Sequence, residues 1–182
     1  ALWIGALVIV SGLGIMSRRR VEAAMTPARL AIASLKPALG LAVVQAVLLT
    51  GALALAGARF GNVWAAGGLV LLGAVAMTAL HAALMAAFGA RGTSAVSLLA
   101  LAAQAAWVLS VNAPGGMAGA LPVAVLDSAL SGIMLGTAGA GEWSAAVVLC
   151  LWAALSALVM TLAVRRRRAT SLAVLRRELA AA

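Results

Sequence analysis

The sequence predicts an all-helical integral membrane protein, and three observations support this fold class. Of the 182 residues, 65% are hydrophobic and only 9% are charged, with a mean hydropathy of +1.16. A water-soluble domain of this size needs more polar surface than that. Uncharged apolar runs of transmembrane length recur along the chain. The basic residues gather at the ends of these runs, as the positive-inside rule expects, so the net charge of +9 does not indicate a nucleic-acid partner.

About five transmembrane helices are predicted in a transmembrane domain over residues 1–164. The spans are 1–16, 37–58, 63–88, 93–112 and 143–164. At helical rise the first run covers about 24 Å, a little short of the bilayer core. The chain has no initiator Met, and we therefore expect it to be part of a longer protein. The only cysteine, Cys150, lies inside an apolar run, which rules out an intrachain disulfide.

The orientation follows from the distribution of Lys and Arg. With five spans, residues 17–36, residues 89–92 and the basic tail 165–182 lie on one side and carry twelve of the thirteen basic residues, whereas Arg59 alone lies opposite. The positive-inside rule places that basic side in the cytoplasm and the N-terminus of the chain outside. We expect a multi-pass protein of a bacterial cell membrane.

The tryptophans provide a second indication of orientation, because Trp favours membrane interfaces. Trp3, Trp64 and Trp143 stand at the outer ends of their predicted spans, while Trp152 stands in the middle of the last span. We expect Trp152 to pack against a neighbouring helix.

The loop 17–36 is the longest polar interruption between two hydrophobic runs. Within it, Thr26 followed by Pro27 predicts a helix start. A short interfacial helix with basic residues at the headgroups is therefore expected before Pro37. Two interpretations remain, a basic lipid-facing anchor and a docking helix for a cytoplasmic protein. The candidate docking residues are Arg18, Arg19, Arg20, Glu22 and Arg29.

Several short motifs follow one another in a distinctive order. They are the run Ala1 to Met16, the Arg-rich loop, Lys36-Pro37-Ala38-Leu39-Gly40-Leu41 with Gln45, Leu80-His81-Ala82-Ala83-Leu84 with Phe88-Gly89, and Leu98 to Gln104. Together they resemble the C-terminal membrane half of the YhgE/Pip family, which belongs with the membrane domains of type-2 ATP-binding-cassette (ABC) exporters. The resemblance runs along nearly the whole chain.

The resemblance implies the last five helices of a permease that begins with one helix and a large extracellular domain. It also implies that the loop 17–36 bears the coupling helix that contacts an ATPase. The resemblance further implies an outer segment that follows the penultimate span and dips back into the membrane as short helices, which in the exporters has a signature of Pro, several apolar residues, Asp and then Leu-Arg. Here Pro122 to Asp127 and Leu130 match that signature, but Ser131 stands where the Arg is expected.

The Gly-rich stretch 113–142 is predicted to be an outer or re-entrant segment. Pro122 suits a helix start, and Ser128, Gly132 and Gly136 repeat at intervals of four. That spacing puts small residues on one face, where another helix can approach closely. Irregular backbone at membrane depth requires burial in protein or a cavity. The alternative is a packed extracellular cap with no transport role.

The intramembrane polar residues are His81, Gln45 and Gln104. Ionisable groups at the depth of His81 usually face protein or water. A neutral histidine bonded to a neighbouring helix is favoured over a proton relay. We find no catalytic pattern, metal-ligand spacing or phosphate loop, and therefore expect no enzyme activity, metal or cofactor. ATP hydrolysis would require a separate subunit.

Two functional classes follow. The first is the permease subunit of a type-2 ABC exporter, working as a homodimer or as a heterodimer with a similar chain and moving a lipid-like or amphipathic substrate outward. The second is a non-transporting membrane scaffold of a type VII-like secretion or cell-envelope assembly. The basic run at the start of the tail attracts anionic lipid and is predicted to be mainly a topological anchor.

Overall fold

The computed structural model describes residues 1–13, 26–109, 121–136 and 139–181, and every regular element there is a helix. The helices are α1 (Leu2–Gly12), α2 (Pro27–Leu55), α3 (Val63–Leu109), α4 (Pro122–Leu135) and α5 (Ala140–Ala181). Among the described residues, three stretches are long and apolar enough to cross a membrane: Arg29–Leu55, Val63–Gln104 and Gly141–Arg167. The prediction of an all-helical protein with helices suited to a membrane is confirmed to this extent.

Helix α3 is a helical hairpin rather than one straight rod. As a straight helix its 47 residues would measure about 70 Å, more than twice the bilayer core. Gly89 breaks it with φ 73° and ψ −177°, a backbone conformation that is essentially restricted to glycine. A Cβ on Gly92 would lie 2.6 Å from Phe88 Cβ, so the turn also needs a second glycine. The predicted loop 89–92 is thus reduced to a single non-helical residue.

The buried residues form two clusters, one at each end of the bundle. One contains Val10, Leu35, Ala38, Met85 and Met160 among others, and lies at the end that carries Arg29, Arg91 and Arg165. We call this the basic end. The other cluster includes Leu2, Ala46, Ala66, Ile133 and Leu149 and extends towards the opposite end, here called the far end, which carries Arg59, Trp64 and Trp143. Successive long helices therefore run in alternating directions between the two ends.

Helix α3 forms the centre of the bundle. In an 18-residue apolar stretch of α3, 72% of the residues are buried, whereas the corresponding stretches of α2 and α5 are 17% and 22% buried. Alanine dominates both buried clusters, as expected where helices approach closely without large side chains between them. The outer faces of α2 and α5 expose large apolar side chains such as Val47, Leu48 and Leu158.

Helix α2 corrects the prediction of a separate interfacial helix before Pro37. Thr26 does cap a helix start, because its Oγ1 accepts the backbone N–H of Arg29 at 3.4 Å. The helix then continues without a break through Pro37 to Leu55. One face of its first turns is buried, including Leu30, Ala31 and Ser34. Residues 27–36 are therefore the packed beginning of a long helix.

Helix α4 spans only the far half of the bundle. Near its start, Leu126 lies so close to Gly73 that a Cβ there would come within 2.8 Å of Leu126 Cδ2. At its other end, the carbonyl of Ile133 accepts the N–H of Gly61 at 3.3 Å. Gly136 ends the helix with φ 71°. Most of the Gly-rich stretch before it, residues 113–120, lies outside the described residues.

The small-residue stripe predicted on α4 is not its packing face within this chain. Ser128 and Gly136 are exposed and Gly132 is half-buried. The buried face is formed by larger side chains: Pro122, Val125, Leu126, Ala129 and Ile133.

Helix α5 continues well beyond the predicted span 143–164. It runs unbroken to Ala181, so the basic tail begins as a helical extension of the last span. Trp152 packs against the buried cluster as predicted. Trp64 and Trp143 are exposed at the far end, but Trp3 is buried. Its assignment to the outer interface was wrong, because its indole faces other helices.

Candidate functional site

A buried polar network lies at the centre of the bundle. The His81 ring places Nδ1 2.7 Å from the Met77 carbonyl oxygen and Nε2 2.8 Å from Ser97 Oγ. The Trp3 indole donates its Nε1–H to Ser97 Oγ at 2.9 Å and to the Ser97 carbonyl at 3.2 Å. Trp3 and His81 also meet edge to face, with ring centroids 4.9 Å apart. The network joins α1 to both halves of α3.

The turn at Gly89 creates this site. His81 and Ser97 are sixteen positions apart in the sequence, which is about 24 Å along a straight helix. They touch only because the second half of α3 folds back on the first. All three side chains are buried, so the hydrogen bonds form away from competing water.

The hydrogen-bond partners determine where the protons lie. A carbonyl can only accept, so the contact to Met77 places a hydrogen on His81 Nδ1. In the neutral ring, Nε2 is then an acceptor and receives the Ser97 hydroxyl hydrogen, while Ser97 Oγ accepts from Trp3. Both ring nitrogens are satisfied in this arrangement. The predicted bond of His81 to a neighbouring helix is the contact with Ser97, and the neutral state of the ring stays a prediction.

The two other predicted polar residues lie in different contacts. Gln45 Nε2 donates to the carbonyls of Ala1 and Leu2 at 3.3 and 3.4 Å and thereby joins α2 to α1. Gly5 permits this approach, since any Cβ at that position would overlap the Gln45 amide. Gln104 Nε2 bonds the Ala100 carbonyl of its own helix at 3.1 Å. The sequence predicted no contact between His81 and either glutamine. The hydrogen bonds described for Gln45 and Gln104 do not involve His81.

Three buried side-chain oxygens have no hydrogen-bond partner among the described residues: Gln45 Oε1, Gln104 Oε1 and Thr78 Oγ1. Unsatisfied buried oxygens are costly in an apolar interior. Sequence reasoning missed Thr78, although its position three residues before His81 puts both on one helix face. It also missed Ser97 as a partner of His81, for which the only signal was a hydroxyl within a predicted span.

A cavity of about 200 Å³ lies between α4 and the polar network. Its wall is mostly apolar and includes Trp3, Met77, Leu101 and Val123. Asp127 also lines it and is exposed. Trp3 therefore lines this cavity and also contacts Ser97 and His81.

The predicted docking residues are only partly described. Arg18, Arg19, Arg20 and Glu22 lie outside the described residues. Arg29 is exposed in the first turn of α2. Other exposed basic side chains at the same end are Lys36, Arg91, Arg165 and Arg166.

A second and larger cavity opens at the basic end, with a volume of about 620 Å³. We call it the basic groove. It lies between the end of the first half of α3 and α5, and it is lined by Ala86, Ala87, Val159, Leu162, Ala163, Arg165, Arg166, Arg167 and Ala169. Arg167 Nη2 donates to the Met85 carbonyl at 3.5 Å, which ties α5 to α3 there.

Within the described part of the chain, no three His, Cys, Asp or Glu side chains are grouped so that they could hold a metal ion. The described acidic side chains, Asp127 and Glu142, are on α4 and at the start of α5.

Comparisons with known proteins add no relative. No family model matches the chain, and neither the curated proteins nor the solved structures include a match to it.

Proposed function

We propose that this chain is the membrane-spanning permease subunit of a type-2 ABC exporter in a bacterial cell membrane. Two copies, or this chain and a similar one, pack together, and a separate cytoplasmic ATPase docks at the basic end. A lipid-like or amphipathic substrate then moves outward along the interface between the two chains.

The observation that carries this proposal is the position of α4. Its start packs beside Gly73, which is ten residues, or about 15 Å at helical rise, from the start of α3. Its end meets Gly61 at the far end. Short helices that begin at such depth are tolerated where they are buried in protein or line a cavity, and discontinuous helices are typical of transporter binding sites. The cavity at Trp3 adjoins α4.

We further propose five membrane crossings, formed by α1, α2, the two halves of α3 and α5, with α4 as a re-entrant element. The alternating helix directions support this count. The exposed cations at the basic end support a cytoplasmic location for that end, and the exposed Trp64 and Trp143 support an interface at the other.

The substrate path would use surfaces that a single chain leaves uncovered. The outer faces of α2 and α5 present Val43, Val47, Leu151 and Leu155. A second chain could cover part of such a surface and leave the rest to lipid. An amphipathic substrate suits a path built from apolar side chains, because its hydrocarbon part needs no polar partner.

The experiment that tests the proposal is purification of the full-length protein from its native membranes in mild detergent, with identification of the proteins that co-purify. A docking variant changes Arg18, Arg19, Arg20 and Arg29 to Ser. A matched variant changes Arg165, Arg166, Arg176 and Arg177 to Ser and so removes the same charge from the α5 side of that end. We expect an ATPase with the native protein and with the matched variant, and its loss from the docking variant.

Two results would contradict the proposal. If secretion or envelope proteins co-purify and no ATPase does, the chain is a scaffold of such an assembly. If the ATPase is lost equally from both variants, docking depends on overall charge and the loop 17–36 is not the docking surface. Gel filtration of each variant shows whether it remains folded.

A further inference from the structure

The cavity at Trp3, with a volume of about 200 Å³, carries one charged side chain, Asp127, among the described residues of its wall. The rest of the wall is mostly aliphatic, with the thioether of Met77 and the indole of Trp3. The Trp3 Nε1–H is already bonded to Ser97 and is not available to a ligand. A ligand that enters therefore meets a negative charge and an otherwise apolar, partly aromatic surface.

The described structure offers Asp127 no cation. Its carboxylate forms no hydrogen bond or ion pair with a described residue. The loop that carries Arg59 meets α4 at Ile133, about 9 Å along the helix from Asp127. The stretches that flank α4 outside the described residues, 110–120 and 137–138, contain no Lys, Arg or His. The described residues and these two stretches therefore supply no positive charge to balance Asp127.

The depth of Asp127 makes an unpaired carboxylate unusual. Its neighbour Leu126 packs beside Gly73, so in the re-entrant arrangement proposed above the carboxylate lies below the membrane surface. Ionisable side chains at such positions are costly, face protein or a water-filled cavity, and mark the paths of ligands and ions. Asp127 lines the cavity and is exposed, so the cavity is open beside it. Only this depth rests on the topology proposed above.

The wall of the cavity selects among cations. A metal ion needs several oxygen ligands, and Asp127 supplies one carboxylate. A primary ammonium group carries three N–H donors, which a mostly apolar wall would leave largely unpaired. A quaternary ammonium group has no N–H donor, so its alkyl groups can contact the aliphatic wall while its charge is attracted to the carboxylate. Aromatic rings also attract such cations, and Trp3 provides one. A neutral acyl chain would leave Asp127 without a partner.

We propose that the cavity at Trp3 binds one quaternary ammonium group, with its positive charge towards Asp127 and its alkyl groups against Trp3 and Met77. The ligand is a free amphipathic cation or the choline headgroup of a lipid, because both present this group. The binding does not depend on the exporter function, since a scaffold with this cavity would bind the same cation.

The test is equilibrium dialysis of radiolabelled tetraethylammonium against the full-length protein in detergent, with protein-free micelles as the blank. Tetraethylammonium is compact, apolar on its outside and free of N–H donors. We expect saturable binding of one cation per chain. Asp127→Asn keeps the shape of the side chain but removes its charge, and should weaken binding roughly tenfold. Val123→Phe fills the cavity from α4 and should weaken binding severalfold with the charge unchanged.

The matched control is Glu142→Gln, which removes the other described carboxylate from a position outside the cavity wall. It should bind the cation to within about twofold of the native protein. Choline should displace the probe, whereas its uncharged carbon analogue, dimethylbutanol, should not. Displacement by dihexanoylphosphatidylcholine at concentrations similar to choline identifies a lipid headgroup as the source of the ligand, and its failure restricts the site to free cations.

The proposal is overturned if no saturable binding is found, if Asp127→Asn or Val123→Phe binds as well as the native protein, or if dimethylbutanol displaces the probe as readily as choline. Equal losses in Glu142→Gln and Asp127→Asn would show diffuse attraction to negative charge and would also overturn it. Thermal unfolding shows whether each variant is folded, and the isosteric change at the exposed Asp127 leaves the packing intact. Absence of an ATPase from the co-purification would contradict the exporter function and leave this binding unaffected.

Discussion

Ser97 is the residue on which the centre of the bundle depends. Its hydroxyl is the shared partner of Trp3 and His81, so one oxygen links α1 to both halves of the α3 hairpin. Hydrogen bonds between transmembrane helices are worth about 0.6 kcal/mol on average and up to about 1.7 kcal/mol. Because the Ser97 hydroxyl makes two such bonds to buried side chains, we expect its contribution to stability to lie towards the upper part of that range.

We predict that Ser97→Ala lowers the free energy of unfolding in detergent by about 1 to 2 kcal/mol. The substitution removes the donor to His81 Nε2, which is then left buried without its partner. Trp3 keeps the contact to the Ser97 carbonyl at 3.2 Å, which limits the loss. Denaturant unfolding followed by tryptophan fluorescence measures the change.

The control for this prediction is Ser94→Ala. The Ser94 hydroxyl bonds the Ala90 carbonyl of its own helix at 3.1 Å and makes no described link to another helix. Its removal should change stability by less than about 0.5 kcal/mol. Similar effects at both positions would show that the network does not stabilise the bundle.

At the residue scale, the sequence predicted a buried His81 in contact with a neighbouring helix but did not identify Ser97 and Trp3 as its partners. The depth of His81 in an apolar run is enough to expect a satisfied histidine. Ser97 comes into reach only through the reversal at Gly89, and periodicity does not specify such a fold-back. The interface preference of Trp gave the wrong position for Trp3, because a buried tertiary hydrogen bond outweighs that preference here.

At the scale of helices, the sequence predicted which segments are helical better than it predicted where each helix begins and ends. The runs 63–88 and 93–112 correspond to the two halves of α3, and glycine explains why the chain reverses between them. Pro37 was interpreted as the start of a new helix, since proline interrupts helices in water. Here the helix continues through it, as membrane-type helices often do when neighbouring helices support the backbone.

We predict that Ala31→Leu destabilises the protein by about 1 to 3 kcal/mol, because Ala31 is 3% exposed and a larger side chain overpacks the cluster at the basic end. Ala33→Leu makes the same change two residues later at an exposed position and should be nearly neutral. Thermal unfolding of the two variants in the same detergent measures the difference. Equal effects would mean that residues 27–36 form a separate surface helix.

At the scale of the whole molecule, composition and charge predicted the class of protein and the opposition of a basic end and a far end. They did not predict that α3 is central and that α2 and α5 are peripheral, because all three are similarly apolar and the difference arises only from packing. The same limitation applies to α4. Its small residues indicated close helix approach, whereas its bulkier face fills the space beside Gly73.

The proposed topology predicts a pattern of cysteine accessibility. Cys150 is the only cysteine of the chain, so Cys150→Ala gives a cysteine-free background for single substitutions at exposed positions. In intact cells freed of their wall, a membrane-impermeant maleimide should label Arg59→Cys and Ser144→Cys at the far end. It should label Ala90→Cys and Ala169→Cys at the basic end only after the membrane is permeabilised.

Arg59→Cys and Ser144→Cys are the decisive pair in this set, because α3 with its break at Gly89 lies between them in the chain. If the hairpin turns at the cytoplasmic surface, Ala90→Cys reacts fully once the reagent can enter. A straight α3 would instead carry the chain across the membrane only once, and Ser144→Cys would then lie on the opposite side from Arg59→Cys. If Arg59→Cys and Ser144→Cys are labelled from opposite sides of the membrane, α3 does not return to the far end. If instead Ala90→Cys and Ala169→Cys are labelled in intact cells, and Arg59→Cys and Ser144→Cys only after permeabilisation, the hairpin stands and only the proposed orientation is wrong.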